Sequence, residues 1–223
     1  MAQLAAGGGW TTTITLMNTG STAAHARLNF FGNDGNPLAL PLAFPEDSST
    51  SGVTASTLDQ TLSPGGSTSI RAGAPANPAT AAVGWTQLLT DGAITAYSVF
   101  AYDFGAGTQE AVAPLETRNP RSFVLWFDNT GGYTTGVAVA NLAAGQGYIT
   151  ATVYDDSDNY LASYTFSLAA QEHTSFMTNA QFPATAGRRG SLQFTTPGGG
   201  QIAALGIRAS AIGSITSVPP MTR

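Results

Sequence analysis

The sequence predicts an all-β protein made of two tandem immunoglobulin-like β-sandwich domains arising from an internal repeat. Three observations carry this expectation. Apolar and polar residues alternate with period two, turn-forming clusters return every ~8–15 residues, and the chain repeats itself at a fixed offset. No window shows the 3.6-residue apolar period of an amphipathic helix.

The repeat is read by sliding the chain against itself. At an offset of 123, "GGWTT" (Gly8–Thr12) falls on "GGYTT" (Gly131–Thr135), Ile14 and Leu16 on Val137 and Val139, and Asn18 on Asn141. Without a gap, "FFGNDGNPLA" (Phe30–Ala39) lands on "VYDDSDNYLA" (Val153–Ala162). The offset then falls to 106, which pairs "TLSPGGSTSI" (Thr61–Ile70) with "SLAAQEHTSF" (Ser167–Phe176), and Gly84 and Gln87 with Gly190 and Gln193. "PLETR" (Pro114–Arg118) closes the first copy as "PPMTR" (Pro219–Arg223) closes the second. The expected domains are therefore 1–119 and 120–223, joined near Asn119-Pro120, where proline disfavours a central strand. The 17-residue slip in offset places an insertion in the first copy at about 45–60, where "EDSSTSGVTAS" reads as a polar surface loop.

Element by element, each copy opens on glycines that turn the chain into its first long strand. In "WTTTITLMN" Trp10, Thr12, Ile14 and Leu16 share the inward face, and the closing Asn is placed to bond backbone at the next turn. "YITATVYD" sends Ile149, Ala151 and Val153 inward and Tyr148, Thr150, Thr152 and Tyr154 outward. Clusters such as "GNDGNP", "SPGG" and "TPGGG" separate about seven short strands per copy, the count of an immunoglobulin-like sandwich. A small closed barrel is the alternative.

Composition limits the function. Charged residues are 9% of the 223, there is no Lys, and the positive inventory is eight Arg. With 43% apolar residues in alternation, and no run near the ~18 needed to span a bilayer, neither disorder nor membrane insertion is expected. The net charge of −5 argues against nucleic acid, and Arg188-Arg189 is the one basic pair. The absence of Cys excludes disulfides, thiolate metal sites and Cys nucleophiles. "MAQLAAGGGW" lacks the charged and apolar regions of a signal peptide.

Candidate chemistry is sparse. The turn "DDSDN" has the oxygen density of a Ca²⁺ site at Asp155, Asp156 and Asp158, although it lacks the glycine and distal glutamate of a helix–loop–helix site. A plain hairpin turn is the competing reading. His25 is expected to face solvent, and His173 to stand at a strand edge. No G-x-S-x-G or H-x-x-x-H motif occurs. A carboxylate pair for glycoside hydrolysis would have to come from Glu46, Glu110, Glu116 and Glu172, the chain's only glutamates, and its aspartates. The best binding clue is aromatic: Tyr148 and Tyr154 on one outward face, with Tyr160 and Tyr164 on the next strand. Such tyrosines stack on sugar rings, or pair across strands for stability.

The phrase "AQLAAGGGWTTTITLMNTGS", with "FDNTGGYTTGVAVAN" and "FPATAGRRGSLQF" after it, resembles a family of exported tandem β-sandwich modules from Acidobacteria and related soil bacteria. There such modules tend to close long secreted polypeptides. The resemblance spans essentially the whole chain and implies secretion and β-sandwich architecture, with no activity or active-site residues to carry over.

These readings lead to a non-enzymatic extracellular structural, adhesion or assembly module of a larger secreted protein. Its partners would be protein neighbours or surface polysaccharide, because uncharged Thr-rich faces desolvate at little cost. A carbohydrate-binding module using the four tyrosines is the alternative, and a hydrolase fragment the third. No cofactor is expected beyond weak Ca²⁺. By the repeat, Leu4 matches Phe127 and Ala2 matches Leu125, while the match to Phe123 would precede Met1. The first copy's first strand is therefore expected to be clipped, leaving that copy less stable, with an edge open to self-association.

Overall fold

A computed structural model describes residues 1–46, 51–73, 79–118, 120–197 and 201–222. They form two compact units, Met1 with Gln3–Leu115 and Ala2 with Glu116–Arg223. The first contains β1 (Leu4–Ala6), β2 (Trp10–Asn18), β3 (Ala24–Gly32), β4 (Leu40–Ala43), β5 (Val53–Ala55), β6 (Thr57–Leu62), β7 (Ser67–Ala72), β8 (Ala82–Thr90), β9 (Ile94–Asp103) and β10 (Thr108–Pro114). The second contains β11 (Ser122–Asp128), β12 (Thr134–Asn141), β13 (Gly147–Asp155), β14 (Tyr160–Leu168), β15 (His173–Met177), a helical turn α1 (Thr178–Gln181), β16 (Arg189–Thr195), β17 (Ile202–Ala209), β18 (Ile215–Val218) and β19 (Met221–Thr222).

Among the described residues every strand pairing is antiparallel, and each unit carries two sheets. The orders are β1-β8-β3-β6 and β10-β9-β2-β7-β4-β5 in the first, β14-β13-β16-β11-β19 and β15-β12-β17-β18 in the second. Period-two alternation builds the core between the sheets. In the second unit Phe123, Leu125 and Phe127, Ile149, Ala151 and Val153, and Leu192 and Phe194 meet Val137, Val139, Ile202 and Ala204 of the facing sheet. In the first, Thr12, Ile14 and Leu16 are buried as the alternation of "WTTTITLMN" requires.

The two units share their registers. Ile14 stands opposite Ile70, and Val137 opposite Phe176. Leu28 lies between Leu88 and Leu58, as Ala151 lies between Phe194 and Tyr164. Asn18 faces Ile94, and Asn141 faces Ile202. Setting aside β4, β5 and β19, the described residues of each unit form eight strands rather than about seven, with identical orders. An immunoglobulin sandwich sets its third strand beside its sixth and its second beside its fifth, and so do these units. Their first and seventh strands differ: the first pairs with the sixth and the seventh with the second.

Three local devices recur in both units. The glycines of "GGWTT" and "GGYTT" form a two-residue turn with both φ positive, 59° and 88° at Gly8 and Gly9, 57° and 83° at Gly131 and Gly132. This is the turn that bends in the sense of strand twist and excludes most side chains. Three residues on, Thr12 Oγ1 donates to the Ala5 carbonyl and accepts the Ala5 N–H, as Thr135 Oγ1 does with Asp128. The third device is the closing asparagine. Asn18 Nδ2 donates to the carbonyls of Thr22 and Leu62 while its Oδ1 accepts the Gly20 N–H; Asn141 does the same with Gly145, Leu168 and Ala143.

The insertion is not the loop expected at 45–60. The register common to both units runs to Pro37, which bridges Phe31 as Tyr160 pairs with Tyr154, and resumes at Thr57, opposite Asn29 as Ser163 is opposite Thr152. Between them lie β4 and β5, paired with each other, and β4 adds to β7 to widen that sheet to six strands, while 47–50 of the expected loop lie outside the described residues. Its alternating "LPLA" (Leu40 and Leu42 buried) carried the strand signal that the polar residues after it obscured. The expected join at Asn119 lies outside the described residues. β1 is three residues long against seven in β11, and the Met1 amino group continues its pairing by donating to the Thr86 carbonyl.

Candidate functional site on the second sandwich

The outer face of the five-stranded sheet of the second unit gathers most of the aromatic residues that the sequence singled out. Its residues alternate with the buried ones: Tyr148 and Tyr154 on β13, Ser191 and Gln193 on β16, Val124 and Trp126 on β11. Register aligns them across the strands. Tyr160 is opposite Tyr154, Tyr154 opposite Ser191, and Ser191 opposite Trp126, so one row crosses four strands. Strands lie about 4.8 Å apart, which puts Tyr154 and Trp126 about 10 Å from each other. The Tyr154 and Tyr160 rings meet edge to face at 6.2 Å. Tyr148 is 56% exposed, Tyr160 62% and Trp126 42%.

Beside the row lie hydroxyls and an amide rather than charges. Thr150 and Thr165 share a hydrogen bond at 2.9 Å, Thr152 and Ser163 one at 3.4 Å, and Gln193 stands next to Thr152. The charges at its margin are paired: Arg189 Nε donates to Asp156 Oδ2 at 2.8 Å, and Arg208 grips Asp128 at 2.8 Å. The Arg208 guanidinium also lies 3.4 Å from the Tyr133 ring centre and 5.9 Å from that of Trp126, a cation–π bracket at the end of the row. Burial alone would raise the Asp128 carboxyl, but hydrogen bonds from Thr130 and the Arg208 guanidinium outweigh it and hold the group below its usual range.

Tyr164 does not join the row. The register shifts between Val153 and Tyr154, so Tyr160 pairs with Tyr154 but Ala162 with Val153. This β-bulge absorbs Leu161 and turns Ala162, Tyr164 and Phe166 to the core side, with Tyr164 opposite buried Ala151. Trp126, which sequence reasoning passed over, takes the place in the row. Its signal was present, since it alternates with Leu125 and Phe127.

The acidic turn is a hairpin turn in both units. Asp155 Oδ1 accepts the N–H groups of Ser157 and Asn159, its Oδ2 accepts Asn159 Nδ2, and Asp156 is held by Arg189. The first unit makes the same frame, with Gly32 N donating to Asn36 O as Asp155 N does to Asn159 O. Gly35, at φ 75°, stands where Asp158 takes φ 63°. Hydrogen bonds from Asn159 hold the Asp155 carboxyl below its ordinary value. Among the described residues no three His, Cys, Asp or Glu stand together as a metal site. Millimolar Ca²⁺ is expected to leave the thermal midpoint unchanged; an upward shift would show that the native turn binds the ion.

Of the two histidines, His25 is exposed, 3.7 Å from Asp59. His173 is buried, opposite buried Ala140, whereas the corresponding Ser67 and Met17 are exposed. Its Nε2 lies 3.1 Å from the carbonyl oxygen of Ala2. Burial pushes its pKa from 6.5 to about 4. The unfolded chain then binds the extra proton first, so this contribution is complete above pH 6.5 and is lost as pH falls to about 4. The loss amounts to about 3 kcal/mol. Denaturant unfolding as a function of pH should show that slope, and His173→Gln should flatten it; an unchanged slope would place its origin elsewhere.

In the first unit, Glu46 and Glu110 line one cleft of about 700 Å³ with Trp10, Arg71 and Asp103. Glu46 there accepts the Ser69 hydroxyl at 3.0 Å. No described helix is long and apolar enough to cross a membrane. Comparison with protein-family models and with curated proteins gives no match.

Proposed function

We propose that this chain is a non-enzymatic extracellular adhesion module that holds neutral polysaccharide on the outer face of its second sandwich. The observation that carries the reading is the row Tyr160–Tyr154–Ser191–Trp126. Half-buried Tyr154 and exposed Trp126 start from strand positions about 10 Å apart and present apolar surface at the repeat of two sugar rings in an extended β-linked chain. The Thr, Ser and Gln side chains alongside supply donors and acceptors for sugar hydroxyls. Because the marginal charges are already paired, the face suits a ligand without charge. Rigid strands hold these groups in place, which limits the side-chain entropy lost on binding. The proposal joins the adhesion and carbohydrate-binding readings of the sequence, narrowed from four tyrosines to one row.

The test is electrophoresis through gels containing soluble β-glucan, mannan or xylan. The unaltered chain should be retarded by at least one of them, with little dependence on salt. Trp126→Ala and Tyr154→Ala should each weaken retardation about tenfold. Tyr164→Ala should leave it unchanged, because that ring points to the other side. Retardation that survives the double substitution of Trp126 and Tyr154 would move the site away from this face.

A further inference from the structure

We propose that β14 is a docking edge for a second copy of this chain, joining two molecules through their five-stranded sheets. This inference does not rest on the polysaccharide reading, since it concerns pairing along the sheet edge, and sedimentation reads it without sugar even though Ser163 and Thr165 border both surfaces.

β14 ends its sheet: it pairs with β13, and among the described residues with no strand on its other side. It is nine residues long, and "YLASYTFSL" contains no charge and no proline. Proteins blunt such edges by shortness, charge, proline or cover, because unpaired N–H and C=O groups invite another strand. The counterpart in the first unit shows what defence looks like. There β6 has six residues, and Asp59 in its middle is held by Arg27 at 2.8 Å. The second unit carries no charge there, and Ala162, Ser163, Tyr164 and Thr165 fill the stretch.

Two side chains point to what fills the edge. Tyr164 and Phe166 face the core side but overhang it, their rings stacked at 6.0 Å and 16°, with Tyr164 still 49% exposed. A strand added beside β14 would cover them. The strand is also suited to pair with itself. Antiparallel pairing centred on Tyr164 uses all nine residues, sets Ser163 opposite Thr165 and Ala162 opposite Phe166 of the other copy, and brings the two Tyr164 rings together. Hydroxyls meet hydroxyls on one face, and small meets large on the other. The two-fold axis of such a pair is perpendicular to the sheet, an isologous contact that closes at a dimer.

Sedimentation velocity over a wide concentration range tests this with the full chain. The unaltered protein should move from monomer to dimer as concentration rises. Ser163→Lys with Thr165→Lys places like charges opposite each other across the proposed pair, and should shift the dimer midpoint at least tenfold higher, with far-UV circular dichroism unchanged. Ser163→Asp with Thr165→Lys makes those same positions complementary and should restore the dimer. A chain that remains monomeric at the highest concentration reached overturns the proposal, whatever else the edge binds. So does a dimer that both charge patterns leave untouched, or one that both abolish while the monomer stays folded.

Discussion

Replacing Gly84 or Gly190 by alanine is expected to cost about 3–5 kcal/mol in the unit that carries it. The two glycines are equivalent, on β8 and β16, where Gly84 stands opposite Gly32 and Gly190 opposite Asp155. A Cβ at Gly84 would fall within the contact shell of the Phe31 carbonyl, 2.9 Å from its carbon and 3.0 Å from Gly32 Cα. At Gly190 it would strike the Tyr154 carbonyl and lie 2.7 Å and 2.8 Å from Asp155 Cα and carbonyl carbon. The obstacle is backbone rather than a flexible side chain, so relief requires the strands to separate and ladder bonds to lengthen. Denaturant unfolding followed by fluorescence separates the units, since Trp10 and Trp85 report the first and Trp126 the second. A loss under about 1 kcal/mol at either glycine would mean that the strands yield easily there.

Asn18→Ala and Asn141→Ala are expected to cost about 2–4 kcal/mol each. Each side chain closes the corner where the chain leaves one sheet for the other, and each is buried. Alanine would leave the Thr22 and Leu62 carbonyls and the Gly20 N–H without partners in the first unit, and the matching Gly145, Leu168 and Ala143 groups in the second. Aspartate is no remedy: it keeps the acceptor but turns a second carboxylate oxygen toward the two carbonyl oxygens. Asn→Asp should therefore destabilise at least as much as Asn→Ala. An Asp variant more stable than the Ala variant would contradict the assigned bond directions.

Much of this frame was legible because it depends on local chemistry. Paired glycines demand positive φ, alternation decides which face of a strand is buried, and a recurring Asn after a strand signals a side-chain-closed corner. The same arithmetic gave the insertion its length, which is a property of the sequence offset. Its position was misread because "EDSSTS" is polar, while the hairpin strands on either side are short. Strand order was not legible, since choosing between the sixth and second strands as neighbour of the seventh is a long-range decision. At the site, the parity of "YITATVYD" placed Tyr148 and Tyr154, whereas Trp126 follows from the same parity in "SFVLWFD", a signal that the apolar residues on either side of it masked. A single bulged residue, Leu161, then moved Tyr164 to the other face, and no composition rule announces a bulge. The burial of His173 likewise rests on a distant partner, the Ala2 carbonyl.

The units also show how one frame tolerates different interiors. In the second, Asn129 Nδ2 donates to the hydroxyls of Thr178 and Thr185, and the Thr135 N–H donates to Asn129 Oδ1. The first unit has Ala6 and Ala72 at the positions of Asn129 and Thr178, both buried. Removing both members of a buried polar pair together leaves nothing unsatisfied, which is why the exchange is compatible with one fold.

The most direct test of the binding face is the indole N–H spectrum of ¹⁵N-labelled protein during titration with a soluble oligosaccharide of the glycan that retards it. The chain has three tryptophans: Trp85 is buried, Trp10 is half-buried in the first unit, and Trp126 stands exposed on the proposed face. The Trp126 signal should shift progressively to saturation while those of Trp10 and Trp85 stay in place. A saturating shift at Trp10 with Trp126 unmoved would put the sugar on the first unit and contradict the account.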